Sequence, residues 1–318
     1  MTVAIRRLAC LGECMIELRE RPDGLLARGF GGDTLNTAVY LARLGVAVDY
    51  VTALGDDPHS EEMLRAWEGE GVGTGHVARV PGAVPGLYLI QTDPRGERRF
   101  SYWRDSAPVR RLFDLPGTPD IEAALAAADP LYLSGITLSL FPGAARERLF
   151  VALEAARARG SRVVFDSNFR PRGWPDREEA RAAYARALAL SHTVLAGVED
   201  FELLEGEGSP EALIGRLRAA GVAEAVVKLA EPGAIAVTPE RAVAVPVTEH
   251  VTPVDTTAAG DSFAAAYLAA RLSGAAPEAA VLAGHRLAGI VVRHPGAIIP
   301  REAMPANLTP SPPAPETP

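Results

Sequence analysis

The sequence predicts an α/β fold in which helices connect the strands of a mostly parallel sheet, with a small second β-sheet beside it. Short apolar segments rich in β-branched residues alternate with longer helical patterns through most of the chain. This alternation is typical of parallel sheets with crossover helices. Two short, aromatic, alternating segments interrupt it after Val80. Hydrophobic residues make up 48% of the 318 residues and charged residues 23%, which is an ordinary composition for a globular protein.

Two strand–helix units are predicted before Val80. The glycine-rich residues 29–36 are expected to lead into the first helix, and Ser60 is expected to cap the second. The predicted elements are, in order, a strand over 7–18 that breaks at Gly12-Glu13 and continues as an extended piece, a helix over 37–44, a strand over 46–53 and a helix over 61–70.

A β-hairpin is predicted next. Its strands cover 86–92 and 97–103, and Asp93-Pro94-Arg95-Gly96 supplies residues that tight turns prefer. We interpret the hairpin as part of the small sheet, which it shares with the extended segment after Gly12.

The α/β alternation returns from Ile121 onwards. The predicted elements are helices over 121–128, 143–159, 177–190, 210–220 and 277–290, an alanine-rich helix ending near Leu272, strands over 131–134, 162–166, 193–195 and 225–229, and a hairpin-like segment over 234–245. The tail from Pro305 onwards is rich in proline and poor in apolar residues, so it is expected to be disordered.

The charge balance limits the possible partners. The net charge is −8, which argues against nucleic acid and against an anionic membrane surface. A bound anion would need local arginines, because Lys228 is the chain's one lysine. Cys10 and Cys14 show no disulfide or metal pattern, and no apolar run approaches the roughly twenty residues of a membrane span. We therefore expect a cytoplasmic protein without a secretory signal and with reduced, buried cysteines.

Polar residues follow several of the predicted strands directly. Ligands of open α/β sheets bind beyond the carboxyl ends of the strands, so these residues are expected to share one cleft. They are Gly12-Glu13, Gly55-Asp56, Ser134-Gly135, Asp166-Ser167-Asn168, residues 197–200 and Lys228.

Residues 254–263 (VDTTAAGDSF) predict the end of an extended segment, followed by a tight turn of small residues that opens a helix. Uncovered N–H groups and the helix dipole make such a turn a site for phosphate oxygens. A carboxylate in an anion site is unusual, and Asp261 could accept the proton of a substrate hydroxyl beside a phosphate. The alternative is that Asp261 is an ordinary first-turn acid that suits the helix dipole.

Other phosphate and hydrolase motifs are absent from the sequence. It contains no Gly-x-x-x-x-Gly-Lys-Ser/Thr loop, no Gly-x-Gly-x-x-Gly after the first strand, no His-Glu-x-x-His and no Gly-x-Ser-x-Gly. None of the six histidines has a carboxylate or serine at an informative spacing.

Two segments carry a family resemblance. Residues 31–38 (GGDTLNTA) resemble the amino-terminal signature of the ribokinase-like (PfkB) carbohydrate kinases, and residues 255–261 (DTTAAGD) resemble their carboxy-terminal signature. Within the family, the chain is most similar to kinases of 2-keto-3-deoxy sugar acids. The segments that carry this similarity are 12–18, 29–37, 85–88, 102–104, 132–136 and 296–302.

The resemblance implies a doubly wound sheet with helices on both faces and a small β-sheet lid, here defined as segments 13–31 and 84–106. It implies one domain over residues 1–306, with a disordered tail over 307–318. It also implies that ATP phosphorylates the terminal hydroxyl, at C6, of 2-keto-3-deoxy-D-gluconate, that Mg²⁺ binds between the phosphates, and that the lid joins subunits of a homo-oligomer.

The resemblance also implies roles for individual residues. Asp261 corresponds to the catalytic base, and the N–H groups of Ala258, Ala259 and Gly260 to the anion hole. Gly32, Asp33 and Asn36 would lie under the sugar. The remaining correspondences are Tyr88, Tyr102 and Arg104 in the lid, Asn168 near the phosphates, Arg170 near the substrate, and Lys228 to Gly233 in a nucleotide-binding loop.

The sequence departs from the family pattern at three places. Ala258 replaces a usual glycine, which matters only if the backbone there needs a positive φ. The usual Lys-x-Gly is Lys228-Leu229-Ala230. The Asn-x-x-Glu motif that helps to order Mg²⁺ is replaced by residues 197–200 (GVED), in which Asp200 could act through water.

Two arginines could bind the substrate carboxylate. Arginine matches a planar carboxylate with two parallel hydrogen bonds, which indicates Arg104 or Arg170. Alternatively, Arg104 belongs to a solvated strand face with Arg98 and Arg99. Tyr88 and Tyr102 could likewise be lid core. Three other functions stay open: a kinase of a neutral sugar such as fructose or ribose, a nucleoside kinase, and a non-catalytic sugar-sensing module.

Overall fold

The computed structural model describes residues 7–21, 23–92, 98–206, 208–229, 231 and 233–306. Over these residues the chain forms one sheet of nine strands and one of four. The large sheet contains β1 (Leu8–Leu11), β4 (Val48–Gly55), β5 (Gly73–Val80), β8 (Leu131–Ser134), β9 (Val163–Asp166), β10 (Thr193–Gly197), β11 (Glu224–Lys228), β12 (Gly233–Val237) and β13 (Ala242–Pro246). The small sheet contains β2 (Met15–Glu20), β3 (Leu26–Gly31), β6 (Leu87–Thr92) and β7 (Arg98–Trp103).

The large sheet has the strand order β13-β12-β11-β10-β9-β8-β1-β4-β5. The strands from β11 to β5 pair in parallel, and only β12 and β13 are antiparallel. The chain extends the sheet in one direction from β1 to β5 and in the other from β8 to β11. The order therefore reverses between β1 and β8, and open α/β sheets bind ligands at such a switch point.

The described helices are α1 (Asp33–Arg43), α2 (Pro58–Gly69), α3 (Thr118–Ala127), α4 (Gly135–Leu140), α5 (Ala144–Ala158), α6 (Arg177–Leu190), α7 (Val198–Glu205), α8 (Pro210–Ala219), α9 (Ala259–Leu272) and α10 (Pro277–Val291). They cover both faces of the large sheet. Val194 and Ala196 of β10 pack into a core with residues of α3 to α8, whereas Leu195 packs into a second core with α1, α2, α9 and α10. This alternation is that of a strand buried on both faces, and it confirms the predicted doubly wound fold.

The small sheet confirms the predicted hairpin and its partner. β6 and β7 are antiparallel, and β2, which follows β1 after a short break, pairs in parallel with β6. The predicted turn, Asp93-Pro94-Arg95-Gly96, lies outside the described residues. β3 was not predicted, because its sequence LARGFG has two glycines and no β-branched residue.

Several helix boundaries differ from the predictions. α1 begins at Asp33 rather than at residue 37, so the glycine-rich segment ends where the helix starts. Asp57, not Ser60, caps α2, because its side chain accepts the N–H of His59 at 2.9 Å and Pro58 can occupy the first helical position. α4 and α7 were missed. They follow β8 and β10 directly, at residues that were predicted only as polar positions after strands.

The segment before α9 was predicted to be extended, but residues 251–256 form no strand. Cys10 and Cys14 are buried and free, as predicted. Among the described helices, none is both long and apolar enough to cross a membrane.

Candidate active site

Asp261 and Asn36 meet above the carboxyl ends of the parallel strands. Asp261 lies in the first turn of α9 and Asn36 in the first turn of α1. Asn36 Nδ2 donates a hydrogen bond to Asp261 Oδ2 at 2.8 Å. Asn36 Oδ1 is buried and has no hydrogen-bond partner among the described residues. A ligand hydroxyl could satisfy this acceptor, since buried polar groups rarely stay unpaired.

The pKa of Asp261 is strongly perturbed. The pKa of this carboxyl is raised to about 8, first by burial and then by the nearby carboxylates of Asp33 and Asp166, against the opposing effects of Asn36 and Lys228. A carboxyl with a pKa near neutrality suits proton transfer at physiological pH. The environment of Asp261 therefore favours the general-base interpretation over that of a simple first-turn acid.

Asp33 joins the ends of two strands. Its Oδ2 accepts hydrogen bonds from Ser134 Oγ, at the end of β8, at 2.5 Å and from Asn168 Nδ2, just after β9, at 2.8 Å. Asn168 has a φ of 26°, a region that asparagine tolerates better than most residues. The contact between Asp33 and Ser134 spans the switch point between β1 and β8.

Lys228 and Asp166 form a buried ion pair at the same edge of the sheet. Lys228 Nζ lies 2.9 Å from Asp166 Oδ1, and the two side chains are 25% and 4% exposed. Burial lowers the pKa of Lys228, but the carboxylates of Asp166 and Asp200 outweigh this effect, so its pKa is raised. Lys228 is therefore charged, and much of its charge is already compensated by Asp166.

The backbone at Ala258, in the turn before α9, has the positive φ that favours glycine. Ala258 has φ 59° and ψ 16°, which is the left-handed region. Alanine can adopt it only at a cost that glycine avoids. The Ala259 N–H already donates to the Thr256 carbonyl at 3.2 Å. Gly260 and Asp261 belong to the first turn of α9, where N–H groups have no intrahelical acceptor.

Asp200 lies in the first turn of α7, beside the end of β9. Its Oδ2 accepts a hydrogen bond from Ser167 Oγ at 2.6 Å, and its Oδ1 lies 3.6 Å from Arg170 Nη1. Arg170 is 60% exposed. In this structure Arg170 therefore lies at the rim of the cleft and is engaged with Asp200.

The predicted lid residues form a connected group. Tyr88 donates a hydrogen bond to Glu17 Oε2 at 2.5 Å, and Arg104 forms an ion pair with Glu13. The guanidinium of Arg104 lies 6.0 Å from the ring centroid of Tyr102, whose own ring is 6.0 Å from that of Tyr88. Arg104 is thus not part of a freely solvated strand face, since its side chain is only 23% exposed.

Two glycines allow the lid and α1 to approach closely. A Cβ on Gly31 would lie 2.1 Å from the Tyr88 hydroxyl oxygen, and one on Gly32 would lie 2.0 Å from the carbonyl oxygen of Glu13. A larger residue at Gly31 would displace the Tyr88 side chain, and one at Gly32 would require a backbone shift. The first signature segment therefore also brings the lid to the site.

Gly233 lies at the start of β12, where its carbonyl accepts the Leu229 N–H at 3.2 Å. Ala230 and Pro232 of the predicted nucleotide loop lie outside the described residues. A cavity of about 410 Å³ lies nearby, between residues 247–251 and α10. Its lining includes Val247, Glu249, Val251, His285, Gly289 and Arg293.

Four residues of the site were not predicted as such, namely Ser134, Asp166, Glu13 and Glu17, and neither was the cavity. Ser134, Asp166 and Glu13 did appear among the polar residues that follow strands, so a signal was present. Glu17 was hidden within an alternating strand, and no local pattern marks the residues that line the cavity.

Known proteins are similar to the chain over nearly its whole length. A model of the pfkB family carbohydrate kinases matches residues 5–304. A 2-dehydro-3-deoxygluconokinase of Dickeya dadantii is 44% identical over 308 residues, which cover 95% of this chain and 99% of that protein. A 2-dehydro-3-deoxygluconokinase of Haemophilus influenzae is 37% identical over 314 residues, which cover 94% of this chain and 98% of that protein.

A solved structure gives the same result for the fold. The crystal structure of a fructokinase with bound ATP from Xylella fastidiosa superimposes with a TM-score of 0.79, at 26% identity, and the match covers 95% of each chain. The family model matches nearly the whole chain, and the two relatives align with it almost from end to end. The chain belongs to the pfkB family of carbohydrate kinases.

Proposed function

We propose that the protein transfers the γ-phosphoryl group of ATP to the terminal hydroxyl, at C6, of 2-keto-3-deoxy-D-gluconate. This sugar acid is also called 2-dehydro-3-deoxygluconate. The observation that carries the proposal is Asp261, a carboxyl with a pKa of about 8 in the first turn of α9. Phosphoryl transfer to an alcohol needs such a group beside the site that holds the phosphate.

Asp261 acts as the general base. It accepts the proton of the attacking hydroxyl, while Asn36 holds its second oxygen through the 2.8 Å hydrogen bond. General-base assistance of this kind contributes about 10²–10⁴-fold to the rate. The N–H groups at the start of α9, together with the helix dipole, stabilise the negative charge on the transferred group.

We assign that anion hole to the turn Ala258-Ala259-Gly260. The left-handed conformation of Ala258 is consistent with this assignment, because a left-handed residue next to helical ones turns successive N–H groups to the same side. The Ala259 N–H, which donates to Thr256, would contribute only after a local rearrangement.

ATP would enter from the side of α10. The cavity between residues 247–251 and α10 has the size and the partly apolar lining that a purine needs. The N–H groups of Val254 and Asp255 donate to the Val292 carbonyl, at 2.7 Å and 3.1 Å. These two bonds hold the segment that precedes the anion hole against the end of α10. Asn168, Lys228 and Gly233 would approach the phosphates.

Mg²⁺ neutralises charge on the phosphates when it is bound. Asp166 and Asp200 are the carboxylates that could reach it, Asp200 through water, because they lie beside the ends of two neighbouring strands. The described residues contain no cluster of three or more ligand side chains. An ion bound here would take its other ligands from the phosphates and from water.

The sugar acid would lie between α1 and the lid. Gly32, Asp33 and Asn36 would bind its hydroxyls from below, while Tyr88 and Tyr102 cover it. Arg104 is our first choice for the carboxylate, because its partly buried guanidinium is held by Glu13, which follows β1. Arg170 would need to leave Asp200 to contribute. The identities of 44% and 37% to two 2-dehydro-3-deoxygluconokinases support this substrate over a neutral sugar.

We also infer that the protein forms a homo-oligomer through the lid. Large apolar side chains are exposed there, and contiguous exposed apolar surface indicates an interaction site. They are Leu25, Leu26, Val84, Tyr102 and Trp103, at 62%, 51%, 55%, 46% and 59% exposure. A cytoplasmic location agrees with the free cysteines.

The test is ATP consumption by the purified protein with 2-keto-3-deoxygluconate, fructose, ribose or adenosine. We expect turnover with the sugar acid and at most slow turnover with the other three. Preferred turnover of fructose or ribose supports the neutral-sugar alternative, and binding without turnover supports a sensing module. Size-exclusion chromatography with light scattering tests the oligomer, and a monomer at micromolar concentration contradicts it.

A further inference from the structure

Glu13 occupies the junction between the large sheet and the lid. It lies between β1 and β2, its side chain is 3% exposed, and its carbonyl oxygen is packed against Gly32. A carboxylate this deeply buried needs compensation by a partner of opposite charge. Glu13 therefore has a specific task, because a buried glutamate brings no general advantage in packing.

Its partner is Arg104 of the lid. Glu13 Oε2 accepts a charge-assisted hydrogen bond from Arg104 Nη2. The residues are 91 positions apart in the chain, so the pair joins the end of β1 to the end of β7. Because Arg104 is long and flexible, this ion pair decides where its guanidinium lies.

The pair is only partly satisfied. Glu13 Oε1 and Arg104 Nε are both buried, and neither has a hydrogen-bond partner among the described residues. Unpaired polar atoms in a low-dielectric site are costly, and a protein keeps them chiefly where function requires them. Arg104 Nε is therefore a donor that no acceptor among the described residues satisfies.

Other charged groups act on Glu13 from both sides. Burial raises the pKa of the Glu13 carboxyl, and Asp33 adds to this effect, whereas Arg104 and Arg110 lower it. Glu13 thus lies within electrostatic reach of the residue that we place under the sugar. The residue that orients Arg104 therefore lies close to a residue that would hold the sugar.

We propose that Glu13 is a positioning residue, which fixes the Arg104 guanidinium so that it receives the carboxylate of the sugar acid. The inference rests on the proposed function, since it assumes a substrate with a carboxylate. An arginine that is already held in place loses less freedom when a ligand binds. Glu13 thereby contributes to the preference for acids over neutral sugars, although it does not contact the reacting atoms.

The test compares Glu13→Gln with wild type and with Glu20→Gln, an exposed glutamate on β2. Glutamine keeps the shape of Glu13 but removes the charge that holds Arg104. We expect Glu13→Gln to raise KM for 2-keto-3-deoxygluconate about tenfold, as expected when a bidentate contact loses its preorganisation, while kcat and KM for ATP stay within about twofold. Glu20→Gln should match wild type, and Glu13→Asp should recover part of the loss.

A second comparison separates positioning from a general structural effect. In an Arg104→Ala background, Glu13→Gln should leave KM for the sugar acid unchanged, because the residue through which Glu13 acts is already gone. Arg104→Ala alone would leave the Glu13 carboxylate buried without its partner. The double variant lacks this charge, so it can still be measured if Arg104→Ala folds poorly.

The outcomes are distinguishable. If the wild type phosphorylates the sugar acid and Glu13→Gln leaves KM unchanged or lowers it, the positioning role is wrong and the proposed function stands. A lowered KM would mean that Glu13 competes with the substrate for Arg104. The proposal is also wrong if Glu13→Gln raises KM for the sugar acid as much in the Arg104→Ala background as it does in the wild type. A wild type that prefers fructose refutes the proposed function, and the positioning role with it.

Discussion

Asn36 Nδ2 donates a 2.8 Å hydrogen bond to Asp261 Oδ2, and this bond joins the first turn of α1 to the first turn of α9 across 225 positions of the chain. Each residue comes from one of the two signature segments. The bond shows that both segments build a single site, in which one amide fixes one oxygen of a carboxyl and leaves the other oxygen available.

Asp261→Asn should lower kcat by about 10²–10⁴-fold, because the variant cannot accept the proton of the attacking hydroxyl. ATP should still bind, since the N–H groups at the start of α9 are unchanged. Steady-state kinetics with the sugar acid and calorimetric titration with a non-hydrolysable ATP analogue check both points. Near-normal turnover by the variant would rule out Asp261 as the base.

The pH dependence of kcat/KM should report the raised pKa of Asp261. The base must be ionised to act, so kcat/KM should fall as the pH drops below about 8. Asn36→Ala removes a group that lowers this pKa and should therefore move the acid limb to higher pH. A limb that stays in place in Asn36→Ala contradicts the coupling between the two side chains.

The same pKa predicts a change in stability. The folded state holds the Asp261 proton up to about pH 8, whereas the unfolded chain loses it near pH 4. This residue's contribution to the free energy of unfolding is therefore full below about pH 4 and declines as the pH rises through 8. Asp261→Asn removes that decline, so the variant should be more stable than wild type at pH 9 and should lose this advantage at pH 5. Denaturant unfolding at both pH values measures the difference.

Ala258 should tolerate only glycine well. Ala258→Gly relieves the strain of the left-handed conformation but makes the unfolded chain more flexible, so a net stabilisation of up to about 1 kcal/mol is expected. Ala258→Val should destabilise the protein and lower kcat, because β-branched residues fit this region worst. Thermal unfolding and kcat of both variants provide the check. Equal behaviour of glycine and valine would mean that φ at this position is not positive.

The buried pair of Lys228 and Asp166 should be sensitive to the loss of one member. Lys228→Met leaves Asp166 buried without its cation, and breaking such a pair costs about 3–5 kcal/mol. Adding Asp166→Asn should restore part of the free energy of unfolding. Denaturant melts of the two single variants and the double variant test this, and additive losses would show that the two side chains do not depend on each other.

The sequence predicted those parts of the fold that depend on local patterns. The strand over 131–134 and the helix over 177–190 were predicted with the bounds that the structure has, since apolar periodicity and flanking turn residues mark them. α7 was missed because it follows β10 without a linker, and β3 because two glycines and the absence of β-branched residues give it little strand propensity.

The residues of the candidate site were also predicted only in part. Asp33, Asn36, Asn168 and Asp261 were predicted, and the structure brings them together through hydrogen bonds or nearby charge. The partners of Arg104 and Arg170, which are Glu13 and Asp200, could not be predicted. They depend on how the lid and α7 pack on the large sheet, and no local sequence pattern determines that packing.

The central claim is tested most directly by measuring both products of one reaction. Purified protein is given ATP, Mg²⁺ and 2-keto-3-deoxygluconate, and ADP and phosphorylated sugar acid are quantified together. We predict equal amounts of the two products, with the phosphate on the terminal hydroxyl, and little of either from Asp261→Asn in the same time. ADP without phosphorylated sugar acid, or phosphorylation of neutral sugars alone, would contradict the account.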